Sequence, residues 1–508
     1  MRNPKDNQRA VMLNMVWAII AVVINYLMNF LLTPYVTNNI GVEAYGFVSL
    51  ATTFTNYVDI ISVGLNAYAG RFISMAYYRG EKEKANMFFS STIVADFVLA
   101  VAIFIPGTIG ICYLQYFCKI PGNLQADVKL LFWIVLIKYL LTVVRTAFDT
   151  AAFISNRLDI TEKQQGIAYL LQGGFLLLLC MTLPPHVWYV GVAGAVSAGY
   201  LLAANMRVCH RITPDLQYQR KLYSWSAVRE MVSAGIWNSL NNLGNILNSG
   251  LDLLITNLML DAVALGEISI AKNLATICYT IVIKISSAFR PRQMQMYAEN
   301  KISEMVRLYQ TAMKITGSFC SFVICWFYVC GYDFLKLWIP NQNIAFIFKA
   351  SMIVLLSDIA TGVVNPLYYV FTLTKKLKVP CMITILMGCT NVGMMFVLIR
   401  TTSMGAYAVV LTTLLVNLVH FIDTPIYSAW CLKISWKTFY PVIFRHLAAV
   451  AVGMLAATGL KHVLPSAGSW FSLVGKGAAA GVILLPVVIL MMFRISEIRA
   501  LFRRNSYL

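Results

Sequence analysis

The sequence predicts an all-α polytopic membrane protein: about 14 transmembrane helices, two six-helix halves around a central cavity, plus two C-terminal helices. Three observations predict it. Of 508 residues, 59% are hydrophobic and 12% charged, too few charges to cover the surface of a soluble protein this large. The mean hydropathy is +0.71, and apolar runs of about 20 residues, enough to cross a roughly 30 Å hydrocarbon layer, recur along the whole chain. When successive loops are assigned to opposite sides, one side holds 28 Lys and Arg and the other only Lys119, Lys336, Arg400 and Lys461. That asymmetry places both termini in the cytoplasm and makes the number of spans even. The excess of Lys+Arg 40 over Asp+Glu 21 therefore reads as membrane orientation. No compact basic domain or aromatic-basic module accompanies it, so nucleic acid is not an expected partner.

Residues 1–210 form the first six-helix lobe, with spans at 11–33, 44–66, 87–109, 128–152, 167–183 and 190–209. The first span follows Arg2, Lys5 and Arg9; its apolar stretch is longer than a signal peptide's and no small-residue cleavage site follows, so it reads as a retained anchor. In the second, Thr52, Thr55, Asn56, Asp59, Ser62 and Asn66 fall three or four apart and share one helical stripe. The third carries Asp96. In the fourth, Lys138, Thr142, Arg145 and Asp149 follow i, i+4, i+7, i+11 and line one face, with Lys138 about ten residues from the outer end, too deep for easy snorkelling. Residues 211–228 form a cytoplasmic linker whose Arg, Lys, Tyr, Trp and Ser suit an amphipathic stretch on an anionic leaflet.

The second lobe, 229–432, has spans at 231–258, 263–289, 308–332, 344–372, 379–399 and 405–431. Its first span repeats the polar stripe with Asn238, Asn241, Asn242, Asn245, Asn248, Asp252 and Thr256. Lys272 and Lys284 lie in the next, about a third of a turn apart; Lys284 alternatively snorkels to the surface. Asp358 and Asp423 lie in later spans, while Glu267, Lys314, Lys349 and Lys476 lie near span ends, where surface anchoring is the default. Residues 433–508 add spans at 446–460 and 471–493 and a basic tail. A shift of 220 positions superposes Trp17 on Trp237, Asn25 on Asn245, Ala44 on Ala264, Gly46 on Gly266, Ser49 on Ser269, Ala51 on Ala271 and Tyr77 on Tyr297. Both copies begin on the same side, which implies a parallel repeat about an axis along the membrane normal.

A lipid-facing polar stripe is costly, since one central Asp costs about 2.5–3.5 kcal/mol on insertion. The stripes must face protein or water. For a single Asn or Thr the plain reading is helix-to-helix hydrogen bonding; for the stripes as a whole it is a hydrated cavity. Lys138 and Arg145 form an anion-binding wall, with Lys272 and Lys284 opposite; the alternative is Arg145 pairing with Asp149 one turn away. Asp59, Asp96, Asp252 and Asp358, with Asp423, are candidates to carry a coupling proton or cation. The 11 Cys read as small buried hydrophobes, although Cys112 and Cys118 could pair in an oxidising compartment. The five His are scattered without ligand spacing, so neither metal nor other cofactor is expected. No G-x-x-x-x-G-K-[ST] loop, nucleophile motif or paired carboxylates occur, so the chain is not expected to be an enzyme. A transporter with alternating cavities is the leading class, and a channel or structural membrane scaffold, which would need no buried cations in both halves, is the other.

The run Ile40-Gly41-Val42-Glu43-Ala44-Tyr45-Gly46, then Gly64-Leu65-Asn66 and Arg71, then Gly80-Glu81 before the third span, resembles the N-terminal signature of the Wzx-type polysaccharide repeat-unit flippases. These are a branch of the multidrug, oligosaccharidyl-lipid and polysaccharide exporter superfamily. The resemblance implies movement of an undecaprenyl-pyrophosphate-linked oligosaccharide, for O-antigen or capsule, from the cytoplasmic to the outer leaflet of a bacterial plasma (inner) membrane by ion-coupled alternating access. The lipid-linked oligosaccharide, a proton or sodium ion, bacterial membrane lipids and polysaccharide polymerase machinery would be its partners. Lys138, Arg145, Lys272 and Lys284 would then meet the pyrophosphate, and Asn25, Asn56, Asn241, Asn245 and Asn248 the glycan. The lipid II flippases share the span count but carry arginines inside their first helix, where this chain has none between Arg9 and the outer end. The multidrug and cation antiporters usually have twelve spans and an apolar substrate lobe.

Overall fold

The structure, a computed structural model, describes residues 4–155 and 157–497 and contains no strand among them. Helix is the expected answer for apolar segments, because a bilayer offers no water to satisfy open backbone groups. Ten helices among the described residues are long and apolar enough to cross a membrane. The helices Val42–Tyr78, Gln125–Ile154 and Trp225–Asn245, which carry the polar stripes, are not among those ten. The chain divides into two compact units, Met1–Gly266 and Glu267–Leu508.

The first unit contains α1 (Pro4–Asn39), α2 (Val42–Tyr78), α3 (Lys82–Cys112), α4 (Leu114–Phe117), α5 (Gln125–Ile154), α6 (Leu158–Thr182), α7 (Tyr189–Ile212), α8 (Trp225–Asn245), α9 (Asp252–Met259) and the first turn of α10 (Ala262–Ala288). At 37 residues α2 is about 55 Å long, well beyond the hydrocarbon layer. It stops where Gly80, at φ +76, turns the chain back into α3. α2 packs on α3, α5 and α8, and α5 packs on α7. The α2–α8 crossing is backbone to backbone: a Cβ on Gly235 would sit 1.9 Å from the Gly64 carbonyl oxygen, and Ser239 Oγ donates to Ile60 O at 2.7 Å. Gly46 and Gly266, a pair that the 220-residue shift superposes, also meet backbone to backbone. The segment between α7 and α8 is tied down on α3. Asn86, Ser90 and Ser91, all buried, accept hydrogen bonds from the backbone N–H of Gln217, Gln219 and Ser224, and Lys82 pairs with Asp215 at 3.1 Å.

The second unit contains the rest of α10 and α11 (Arg290–Ala298), α12 (Ile302–Trp338), α13 (Ile344–Val364), α14 (Tyr368–Leu373), α15 (Lys378–Thr401), α16 (Tyr407–Asn417), α17 (Asp423–Leu432), α18 (Tyr440–Val463) and α19 (Trp470–Met492). α13 and α14 are halves of one crossing, broken at Pro366 in a 3-10 turn; α16 and α17 are likewise broken at Leu418–Phe421. α12 is the hub, packed on α13, α18 and α19. α19 is fastened to α12 by Lys476–Asp333 at 2.7 Å, and the segment just after α19 by Lys314–Glu497 at 2.6 Å. His446 of α18 is fully buried and meets Ser321 Oγ at 2.9 Å and Ile359 O at 3.2 Å. Surface anchoring is therefore the wrong reading of Lys476 and Lys314: both are engaged by carboxylates, Lys476 with a side chain only 8% exposed. Cys112 and Cys118 are unpaired thiols, one exposed and one buried.

Candidate functional site

In the first unit α5 brings cations and hydroxyls against α2 and α7. The Lys138 stem lies along Gly194, where a Cβ would come 3.1 Å from Lys138 Cδ and 3.2 Å from Nζ; glycine on α7 is what gives the lysine room. No hydrogen-bond acceptor or carboxylate engages Lys138 among the described residues. Arg145, one face down, takes the alternative foreseen for it: Nε lies 3.4 Å from Asp149 Oδ2, with side chains 20% and 32% exposed, and the Asn205 amide donates to the other Asp149 oxygen. Thr142 spends its hydroxyl on the Lys138 carbonyl within α5.

The carboxylates of this unit have separate surroundings. Asp59 accepts hydrogen bonds from Ser62 and, at 3.3 Å, from Tyr139, whose hydroxyl also meets Ser62 Oγ at 3.1 Å. Asp96 is fully buried; Asn66 donates to its Oδ1 at 3.0 Å, and its Oδ2 has no hydrogen-bond partner among the described residues. Asp252 is buried at the start of α9, just after a π turn at Ile246–Gly250, and Tyr57 donates to Gly250 O at 2.7 Å beside it. Tyr139 and Asn205 carry no sequence signal beyond a phenol or an amide inside an apolar span, which is also how ordinary packing residues look.

Of the five candidate glycan ligands, Asn56, Asn241 and Asn245 are exposed on α2 and α8, and Asn248 is partly buried in the π turn. Asn25 accepts from Asn29 Nδ2 at 3.0 Å through its carbonyl and 3.2 Å through its amide oxygen, a bond within α1.

In the second unit Asp358 lines a small cavity with Tyr279, Cys278, Cys320 and neighbouring apolar side chains, just large enough for one water molecule. Its Oδ2 is buried without a hydrogen-bond partner among the described residues, and the Lys272 charge acts on it. Around it, Asn365 donates to the Tyr279 hydroxyl at 3.1 Å and Asn417 to Ser357 Oγ at 2.7 Å. Lys284 is exposed. At the second helix break His420 Nδ1 lies 3.1 Å from Asp423 Oδ1, with the Tyr368 ring edge-on at 6.0 Å. No group of three His, Cys, Asp or Glu side chains able to hold a metal ion occurs among the described residues.

Among the described residues, Asp96 and Asp252 are thus buried, Asp358 has a buried carboxylate oxygen, and Lys138 is an ammonium without a carboxylate partner. Residues 11–297 match the polysaccharide biosynthesis protein family, more than half of the chain. The chain belongs to that family. The N-terminal resemblance to polysaccharide-unit flippases is borne out at this level. EpsK of Bacillus subtilis (strain 168), described as an uncharacterized membrane protein, is 26% identical over 452 residues, 88% of each chain. Among solved structures, an inward-facing multidrug resistance MATE family transporter of the MOP superfamily aligns with a TM-score of 0.68 at 14% identity, over 82% of this chain and 98% of that one. The lipid II flippase MurJ, in an inward closed conformation, aligns with a TM-score of 0.66 at 12% identity, over 97% and 99%. This polysaccharide-family chain therefore has a transporter fold. The difference between 82% and 97% coverage is about the size of residues 433–508.

Proposed function

We propose that the protein is a flippase that carries undecaprenyl-pyrophosphate-linked oligosaccharide repeat units from the cytoplasmic to the outer leaflet of a bacterial plasma membrane, by ion-coupled alternating access. The observation that carries this reading is Lys138: an ammonium inside a membrane helix, held against Gly194, with no carboxylate partner among the described residues. A charge left uncompensated in the membrane is expensive, and an anionic ligand is the partner that removes the cost. Arg145 is half neutralised by Asp149, so it assists rather than leads, offering its remaining guanidinium donors to the second phosphate. Lys272 beside Asp358 is the corresponding cation of the second unit; Lys284 contributes at most at the rim. Asn25, Asn56, Asn241, Asn245 and Asn248 offer amides to the glycan, and Asp59, Asp96, Asp252 and Asp358 are the carboxylates for the coupling proton or sodium ion. Membership of a polysaccharide family supports this cargo over drugs, and the full-length alignment to a lipid-carrying relative supports a lipid-linked one.

Deletion in a strain without a redundant flippase tests the reading. The expected result is loss of surface polysaccharide with lipid-linked repeat units accumulating on the cytoplasmic side, restored by the wild-type gene and not by Lys138→Gln. Full surface polysaccharide in the deletion strain would overturn the cargo assignment. Rescue of a strain lacking its lipid II flippase would favour that cargo instead.

A further inference from the structure

Two turns at one end of the second unit gather lysines that nothing in the fold neutralises. The turn after α14 and the start of α15 contribute Lys375, Lys376 and Lys378; the turn after α17 contributes Lys433 and Lys437. Between residues 359 and 496 the sequence has a single acid, Asp423, and it is engaged by His420. Among the described residues none of the five lysines has a carboxylate within 4.0 Å.

The turns are held together by aromatic rings. Lys376 Nζ lies 4.0 Å above the centre of the Trp430 ring, Tyr427 stacks on Trp430 at 5.4 Å, and the Tyr427 hydroxyl donates to Lys376 O at 3.4 Å. Lys437 Nζ lies 5.4 Å from the Trp436 ring centre. Both indoles remain open, 59% and 54% exposed. Lys375 and Lys433 adopt φ of +57 and +56, the left-handed region that glycine ordinarily fills. A helix dipole accounts for a cation at Lys433, the C-cap of α17, but not for five lysines in the absence of acids.

Depth identifies the partner. All five lysines lie within three residues of the end of an apolar helix long enough to span: Ile344–Leu373, Lys378–Thr401, Tyr407–Leu432 or Trp436–Val463. That is headgroup level, where exposed Trp rings also settle. A cation over an indole keeps N–H groups free to donate outward to a phosphate oxygen. We propose that this basic and aromatic platform binds the phosphate headgroup of an anionic phospholipid in the leaflet it faces, which the Lys and Arg distribution makes the cytoplasmic one.

Native mass spectrometry of the full chain, released from nanodiscs of phosphatidylcholine with phosphatidylglycerol, tests it. Retained phosphatidylglycerol is expected, and Lys376→Gln with Lys437→Gln should weaken that retention about 30-fold, since each cation near an anionic surface contributes about fivefold. The doubly Arg-substituted chain should keep it. Hydrogen exchange on the wild type gives a second readout: amides of 374–380 and 430–438 should be protected by phosphatidylglycerol vesicles and not by phosphatidylcholine alone. Equal retention of both lipids, equal retention by wild type and the Gln variant, unchanged exchange, or protection reproduced by inorganic phosphate without anionic lipid would each overturn the proposal.

Discussion

At Gly235 a single missing methyl group decides how closely α8 approaches α2. Any Cβ there overlaps the Gly64 carbonyl at 1.9 Å, so the helices must part. Gly235→Ala is predicted to cost about 1–3 kcal/mol, the usual range for overpacking, read from unfolding in mixed micelles. Gly199→Ala on α7, with nothing within 4 Å of the new Cβ, should be within about 0.5 kcal/mol of wild type. Glu497 gives a pH signature. Burial raises its pKa, but the hydrogen bonds from Lys314 and the Arg494 N–H outweigh that and hold it below the ordinary 4.5. A depressed carboxylate stabilises above its unfolded pKa and loses that contribution as pH falls through the folded value. Hydrogen exchange in 493–497 should therefore quicken on acidification below about pH 4.5, and Glu497→Gln should be fast throughout. Residue-level chemistry was partly legible in the sequence: the i, i+4 spacing offered Arg145–Asp149 as a pair, and the structure makes it. What spacing along one helix could not convey was the neighbour on another, so Asn205 at Asp149, Tyr139 at Asp59 and Gly194 under Lys138 all required the packed bundle.

Among the elements, α18 and α19, the two late apolar spans, both pack on α12, with one ion pair from Lys476 in α19 and another from Glu497 just past its end. The Lys476–Asp333 pair is buried, at 8% and 10% side-chain exposure, and Asp333 also accepts from the Ala467 N–H at 3.0 Å. Removing one partner of a buried pair strands the other charge, so Lys476→Met alone should destabilise by about 3–5 kcal/mol. Lys476→Met with Asp333→Asn should recover much of that loss in a double-mutant cycle; simple addition of the two penalties would contradict the pairing. The segment between α7 and α8 makes a second element-level prediction. Because Ser90 and Ser91 accept from the Gln219 and Ser224 amides, Ser90→Ala with Ser91→Ala should speed exchange at those two amides while α3 itself stays protected. Periodicity found the helices, and Gly and Pro marked several ends, but a linker that borrows hydrogen bonds from buried α3 side chains leaves no pattern in its own letters.

For the whole molecule, composition was enough to set the class, because 12% charge leaves no alternative to lipid for so much apolar surface. Family membership and the transporter fold agree with it. The loop-charge asymmetry predicts that both termini face the cytoplasm; reporter fusions at either end should be active only with a cytoplasmic reporter, and opposite sidedness would break the even span count. Lys138 lies against Gly194 with no carboxylate partner among the described residues, and the proposed anionic substrate would supply that partner. Binding of undecaprenyl pyrophosphate to the purified protein in nanodiscs tests that most directly. Wild type and Lys138→Arg should bind, and Lys138→Gln should bind at least tenfold more weakly, in keeping with a lost charge-assisted contact of about 1.5–3 kcal/mol. Equal affinity of Lys138→Gln and wild type would contradict the account.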